Sequence, residues 1–144
     1  MALTITSPTT GQLIEPSLVL KYTDTLEILP STLSGAGDGL FAKVNITNGA
    51  MLGVYEGFSY DTLGNLFRLR RDSEYMITIK KYVVEGIVYK DYRIDAKFGG
   101  NELRYINHDL SNVNVYLNND AEVHAIADIP AGNELFLNYA QIGI

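Results

Sequence analysis

Cysteine is absent from this 144-residue chain. Disulfide frameworks, thiolate catalysis and cysteine-based zinc sites are excluded together, and the absence fits a reducing compartment. Long apolar runs are missing as well. No stretch approaches the roughly 20 residues that a membrane-spanning helix requires. Lys and Arg do not occur between Met1 and Leu20, where Thr, Ser and Pro are scattered instead, so the basic start of a secretory signal is lacking. No base follows Arg104, and Asp109, Asp120, Glu122, Asp128 and Glu134 make the remainder uniformly negative. Metal-ligand patterning is thin: His108 and His124 stand apart, without the i, i+4 spacing that puts two imidazoles on one helix face. The chain is read as soluble and intracellular, without a metal.

What is present suits one domain. With 47% apolar and 19% charged residues, a chain near this length buries about 68–70% of its unfolded surface without staples. Eleven bases against seventeen acids give a net charge of −6, which disfavours sequence-independent binding to a phosphate backbone and favours a basic partner. The bases are concentrated: residues 68–104 hold nine, with six acids. Residues 1–23, with Pro8, Gly11 and Pro16 among Ser and Thr, read as an N-terminal arm, and residues 24–144 as the folded domain.

The hydrophobic pattern predicts many short strands and little helix. Thr25–Leu29, Met51–Tyr55 and Glu74–Ile79 are β-branched or aromatic runs bounded by turn residues. Val113–Leu117 and Glu122–Ala127 flank Asn118-Asn119-Asp120, a cluster suited to a hairpin turn, and Leu135–Tyr139 reads as a final strand. Helix is predicted only for Asp61–Arg71, broken by Gly64, and for a short turn around Asn101–Ile106. The fold class is mainly β.

Gly35-Ala-Gly-Asp-Gly39 offers glycines where backbone amides can approach a ligand. A dinucleotide fingerprint would need a further Gly at Leu40, and a P-loop would need a Gly-Lys-Ser/Thr ending; neither is present. Taken alone, the segment reads as a tight turn. No Gly-x-Ser-x-Gly elbow supports Ser/His/Asp catalysis. Asn45-Ile46-Thr47 matches a glycosylation acceptor, a pattern that is common by chance.

The order of four pieces is more specific. Gly37-Asp-Gly-Leu-Phe-Ala42 is followed by Tyr55-Glu-Gly57, then by Arg93-Ile-Asp-Ala96 leading into Gly100-Asn-Glu-Leu-Arg-Tyr-Ile-Asn-His108, and last by Ala131-Gly-Asn-Glu-Leu-Phe-Leu-Asn-Tyr139. Together they resemble the SET domain, the fold of a family of S-adenosylmethionine-dependent protein lysine methyltransferases. The resemblance runs from about Leu26 to Tyr139 in the family's order. It implies a β-clip fold, small sheets around a knot-like C-terminal segment with short helices, and methyl transfer to a lysine in a basic segment such as a histone tail. A catalytically silent SET-like module that binds a peptide or the cofactor is the alternative.

On this resemblance Gly37, Asp38, Gly39 and Leu40 bring main-chain groups against S-adenosylmethionine, and small side chains there serve that approach. Asn107 bonds the methionyl part of the cofactor, His108 contributes mainly through its backbone, and Arg104 lies beside the pocket. Tyr139 resembles the catalytic tyrosine, which also borders the cofactor. Tyr55 resembles a second catalytic tyrosine and a wall of the lysine channel, which Tyr105, Tyr116 and Leu137 would also line. Tyr75 is a weaker candidate. The product would be S-adenosylhomocysteine. For any of these tyrosines core packing is the competing explanation, as a satisfied turn is for Asn107-His108.

The sequence departs from the family at Asp109-Leu110, where Ser-Cys is frequent, and at Leu137, where many members carry Phe or Tyr. It also lacks the cysteine-rich modules that flank many members. The short form is similar to minimal SET proteins of large DNA viruses, so a homodimer on chromatin, in a nucleus or host nucleus, is expected. Neither nucleic acid nor membrane is expected as a direct partner.

Overall fold

Strands dominate the computed structural model, which describes residues 5–6, 13–61, 75–81 and 90–139. In chain order they are β1 (Ile5–Thr6), β2 (Leu13–Ile14), β3 (Leu26–Pro30), β4 (Asp38–Ala42), β5 (Met51–Val54), β6 (Phe58–Asp61), β7 (Met76–Lys81), β8 (Lys90–Asp95), β9 (Asn107–His108), β10 (Val115–Leu117), β11 (Glu122–Ala125) and β12 (Phe136–Leu137). Two short 3-10 turns, Glu102–Tyr105 and Leu110–Asn112, interrupt them. The strands form five small sheets: β1-β2, β3-β4, β6-β8-β7, β10-β11-β5 and a parallel pair of β9 with β12. Among the described residues no helix is long and apolar enough to cross a membrane.

Side-chain alternation explains β10 and β11. In β10, Val115 and Leu117 are buried while Tyr116 faces out; in β11, Val123 and Ala125 are buried between Glu122 and His124. β4 departs from the alternation, since Gly39, Leu40, Phe41 and Ala42 are all buried. It lies between β3, its antiparallel partner, and the segment 133–135, which bonds it through Ala42 N to Asn133 O (2.8 Å) and Leu135 N to Leu40 O (2.8 Å). A strand covered on both sides can be apolar throughout. Leu26, Leu40, Leu103, Ile129, Leu135 and Leu137, each at most 2% exposed, make the centre of one continuous core.

The C-terminal crossing sits in that core. Phe136–Leu137 runs parallel to Asn107–His108, and the segment 134–136 is also bonded to Asn114: Asn114 N donates to Phe136 O (3.1 Å), Phe136 N to Asn114 Oδ1 (2.8 Å) and Asn114 Nδ2 to Glu134 O (2.9 Å). The chain has thus passed alongside its own 107–114 loop, which is the knot-like feature of this fold.

The boundaries differ from the sequence expectation in instructive ways. The expected last strand Leu135–Tyr139 contracts to Phe136–Leu137, because parallel pairing to β9 lasts only two residues. The hairpin forms between β10 and β11 as expected, but its turn extends to Ala121 at φ 61°. Asn118 allows this by accepting from the amides of Asp120 and Glu122 (2.9 Å each). The tight-turn reading fits Gly35 and Gly37, at φ 77° and 72°, whereas Asp38 and Gly39 already belong to β4. The turn expected at Asn101–Ile106 is 3-10, capped by Asn101 accepting from Leu103 N. Of the expected helix Asp61–Arg71, Asp61 closes β6 and the remainder lies outside the described residues.

Residues 15–23 lie along the domain. Ser17 N donates to Lys97 O (3.0 Å) and Val19 N to Gly100 O (2.9 Å), while the buried Glu102 carboxylate accepts from Lys21 N (2.8 Å) and Tyr22 N (3.0 Å). Tyr22 then lays its ring against Gly53, where a Cβ would collide with it, and its hydroxyl accepts from Val54 N (2.9 Å). The Lys21 ammonium bonds Glu56, a contact that raises the lysine's pKa and lowers the carboxyl's. Glu102→Ala strands two amides in a half-buried place, so it is expected to destabilise the fold by about 1–3 kcal/mol. Amide exchange at Lys21 and Tyr22 rising before global unfolding checks the attribution to the arm.

Candidate active site

Four chain segments that are far apart in sequence converge on one depression. Ala36, Gly37 and Asp38 enter from the turn before β4 and its first residue, Tyr75 from the start of β7, Arg104, Tyr105 and Asn107 from the first 3-10 turn and β9, and Tyr139 from the chain after β12. The cavity measures about 340 Å³, within the roughly 300–1,000 Å³ of small-molecule sites. A wider depression of about 460 Å³ lies against Asn45, Ile46, Thr47, Asp128, Ile129 and Pro130. Two of its polar side chains are engaged in turns: Asp128 accepts from Asn48 N and Asn45 from Ala131 N.

Aromatic and cationic groups build one wall of the smaller cavity. The Arg104 guanidinium stands 4.6 Å from the Tyr75 ring centroid and 5.1 Å from that of Tyr105, in cation–π range. It donates to Ala96 O (3.1 Å) and to the Tyr105 hydroxyl (3.1 Å). Tyr55 stands behind this wall, 5% exposed, with its hydroxyl donating to Tyr75 O (2.6 Å). Burial, then the proximity of Tyr139 and Asp95, pushes its ionisation far above the usual phenol range. Tyr55 therefore stays neutral.

Tyr139 is held from two sides. Its amide donates to His108 Nδ1 (2.9 Å), its ring lies 5.2 Å from the His108 ring, and its hydroxyl donates to Ile106 O (2.8 Å). The proton is thus directed to a main-chain carbonyl.

The opposite wall rests on a carboxylate. Glu134, 5% exposed, accepts from Ser31 Oγ (2.8 Å), Thr32 N (2.8 Å), Thr32 Oγ1 (2.7 Å) and Asn107 Nδ2 (3.2 Å). Burial alone would raise its pKa; the donors from Thr32, Ser31 and Asn107 outweigh that and hold it below the usual carboxylate range. A Cβ at Gly39 would collide with this carboxylate.

Of the residues expected at the site, Gly37, Asp38, Arg104, Asn107, Tyr105, Tyr75 and Tyr139 line the cavity. Gly39 and Leu40 lie beneath it in β4, and the absent side chain of Gly39 makes room for Glu134. His108 is exposed and supports Tyr139 through its ring as well as its backbone position. Two residues expected in the lysine channel do not line this cavity. Tyr116 faces outward, because alternation in β10 gives the core to Val115 and Leu117, and Leu137 is 2% exposed within the core. Glu134 and Ala36 were not singled out from the sequence. For Glu134 there was a signal: a lone charge opening the apolar run Leu135-Phe136-Leu137.

Comparison with known proteins points to one family. The family described as the SET domain matches residues 37–140. The histone-lysine N-methyltransferase EZH2 of Chaetomium thermophilum is 34% identical over 124 residues, covering 76% of this chain and 8% of that protein. Among solved structures, ctPRC2 in an autoinhibited conformation bound to S-adenosylmethionine superposes with a TM-score of 0.61 at 28% identity, covering 82% of this chain and 15% of that one. An active polycomb repressive complex 2 in the basal state gives 0.59 at 33% identity, over 79% of this chain and 15% of that one.

Proposed function

The chain belongs to the SET-domain family, and from that premise we propose that it is an S-adenosylmethionine-dependent protein lysine N-methyltransferase. The observation that carries the proposal is the convergence of Gly37, Arg104, Asn107 and Tyr139 on one cavity. The residues suit the cofactor's amino-acid end. Ala36 and Gly37 offer low main-chain walls, and Asn107 offers an amide oxygen to an ammonium. When bound, S-adenosylmethionine supplies a methyl group activated by its sulfonium. The chain's own residues align the acceptor, exclude water and accept hydrogen bonds. Tyr139, with its proton held by Ile106 O, serves as an oxygen acceptor beside the reacting groups. Tyr55, neutral and pinned to Tyr75 O, fixes the aromatic wall behind it.

A basic lysine-bearing segment such as a histone tail fits the net charge of −6, and with it a nuclear place of work. Calorimetric titration with S-adenosylmethionine, followed by radiolabel transfer to core histones, tests the proposal. Heat of binding with transfer is the expected result. Binding without transfer to histones or other basic proteins would leave a silent module, and no binding by the folded chain would overturn the reading. Asn107→Ala is expected to weaken the cofactor by about tenfold to a hundredfold, the worth of one hydrogen bond to a charged group.

A further inference from the structure

Asn107 Nδ2 faces two oxygens, Asp38 O at 3.0 Å and Glu134 Oε2 at 3.2 Å. Both can only accept when Glu134 is ionised, so a nitrogen must face them, and its two N–H donors are both used. Asn107 Oδ1 has no hydrogen-bond partner among the described residues, and Asn107 lines the cavity. The Glu134 carboxylate cannot turn away. Thr32 N and Oγ1 hold its Oε1, Ser31 Oγ holds Oε2, and the Ser31 amide is itself bonded to Gly37 O (2.8 Å). A side chain at Gly39 would displace it.

We propose that Glu134 is a positioning residue, which orients the Asn107 amide with nitrogen inward and oxygen to the cavity, so that the site selects a ligand presenting an ammonium group. The inference rests on the cavity being the cofactor site and adds what sets its polarity. Glu134 touches no ligand in this account; it acts through Asn107.

Glu134→Gln isolates the effect because it keeps shape and removes one acceptor. The new amide oxygen is claimed by Thr32 N and Oγ1, which leaves the new NH₂ group toward Ser31 and Asn107. Ser31 Oγ can rotate to accept; Asn107 Nδ2 cannot. Asn107 is then opposed in either orientation, by the new NH₂ group with its nitrogen inward and by Asp38 O with its oxygen inward. It no longer holds one face to the cavity, and in the turned orientation its nitrogen meets an ammonium as a second donor. The experiment compares two probes by calorimetry, S-adenosylhomocysteine and its analogue with hydrogen in place of the α-amino group.

The wild-type chain is expected to prefer the amino ligand by about tenfold or more, and Glu134→Gln to reduce that preference to within about threefold. Equal weakening of both ligands, with the preference intact, would make Glu134 a structural support only and overturn the inference alone. A wild-type chain that is folded and binds neither ligand would overturn the cofactor site together with this inference. If the Glu134→Gln variant does not fold, the wild-type Asn107 side-chain amide, labelled with ¹⁵N, answers the same question. Two distinct, exchange-protected Nδ2 protons that persist when S-adenosylhomocysteine binds support the orientation, and averaged, unprotected protons overturn it.

Discussion

Tyr139→Phe is expected to leave a folded chain that binds S-adenosylmethionine within a few-fold of wild type and loses about 10²–10³ of its methyl-transfer rate, the scale of one oriented polar group at a reacting centre. Fold is retained because the ring keeps its place 5.2 Å from His108 and the Tyr139 amide still donates to His108 Nδ1. What disappears is one hydroxyl, bonded to Ile106 O at 2.8 Å, whose net contribution to stability is about 0.5–1.5 kcal/mol. Single-turnover transfer of labelled methyl, with cofactor affinity measured on the same preparation, separates the two effects. A loss confined to affinity would move Tyr139 from catalysis to cofactor binding. An unimpaired variant would remove it from both roles. Tyr55→Phe gives the contrast: its hydroxyl is bound to Tyr75 O in a buried place, so its loss is felt first in the packing of the wall.

Much of the site was legible because it depends on short stretches whose residue types are dictated by local geometry. Gly35 and Gly37 adopt positive φ, which side chains disfavour. Asn107 and Tyr139 stand where the family's order leads one to look for them. The alternation that makes β10 and β11 strands is also visible in the sequence. The same alternation faces Tyr116 outward, and its ring does not line the cavity.

The illegible part lies in contacts between segments with no local signature. Glu134 meets Thr32 from 102 residues away, and Glu102 meets the amide of Lys21 from 81. Each carboxylate satisfies backbone or hydroxyl donors of a distant loop, and a sequence shows the acid without its partners. Gly39 illustrates the difference. Its small size was attributed to the approach of a cofactor, and a Cβ there would also collide with Glu134 Oε2, a neighbour the sequence does not show. The parallel pairing of β9 with β12 has the same character, since two residues on each strand are too few to leave a periodicity.

Gly100→Ala is expected to be the most destabilising small substitution near the site, by about 1–3 kcal/mol and toward the upper end of that range. A Cβ at this position would collide with Ala96 O and stand 2.8 Å from the Ala96 carbonyl carbon and 2.9 Å from its Cα. These are backbone atoms with little freedom to yield. Phe98 N and Lys97 N both bond Asp95, which closes the turn, and Ala96 O is the acceptor for Arg104 Nη1 (3.1 Å). Gly100 O in turn receives Val19 N of the arm. Any shift that makes room for the methyl therefore moves the Arg104 guanidinium and loosens residues 17–19. Gly99 provides the control. It has φ 75° with open space around it, so Gly99→Ala meets a dihedral cost of about 1–2 kcal/mol and no collision. Asn, which tolerates that conformation, should recover part of the loss at 99 and none at 100. Urea midpoints of the four variants decide between these causes. Cofactor affinity is expected to fall further for Gly100→Ala than for Gly99→Ala, because only the first strain is transmitted through Ala96 O to the cavity wall.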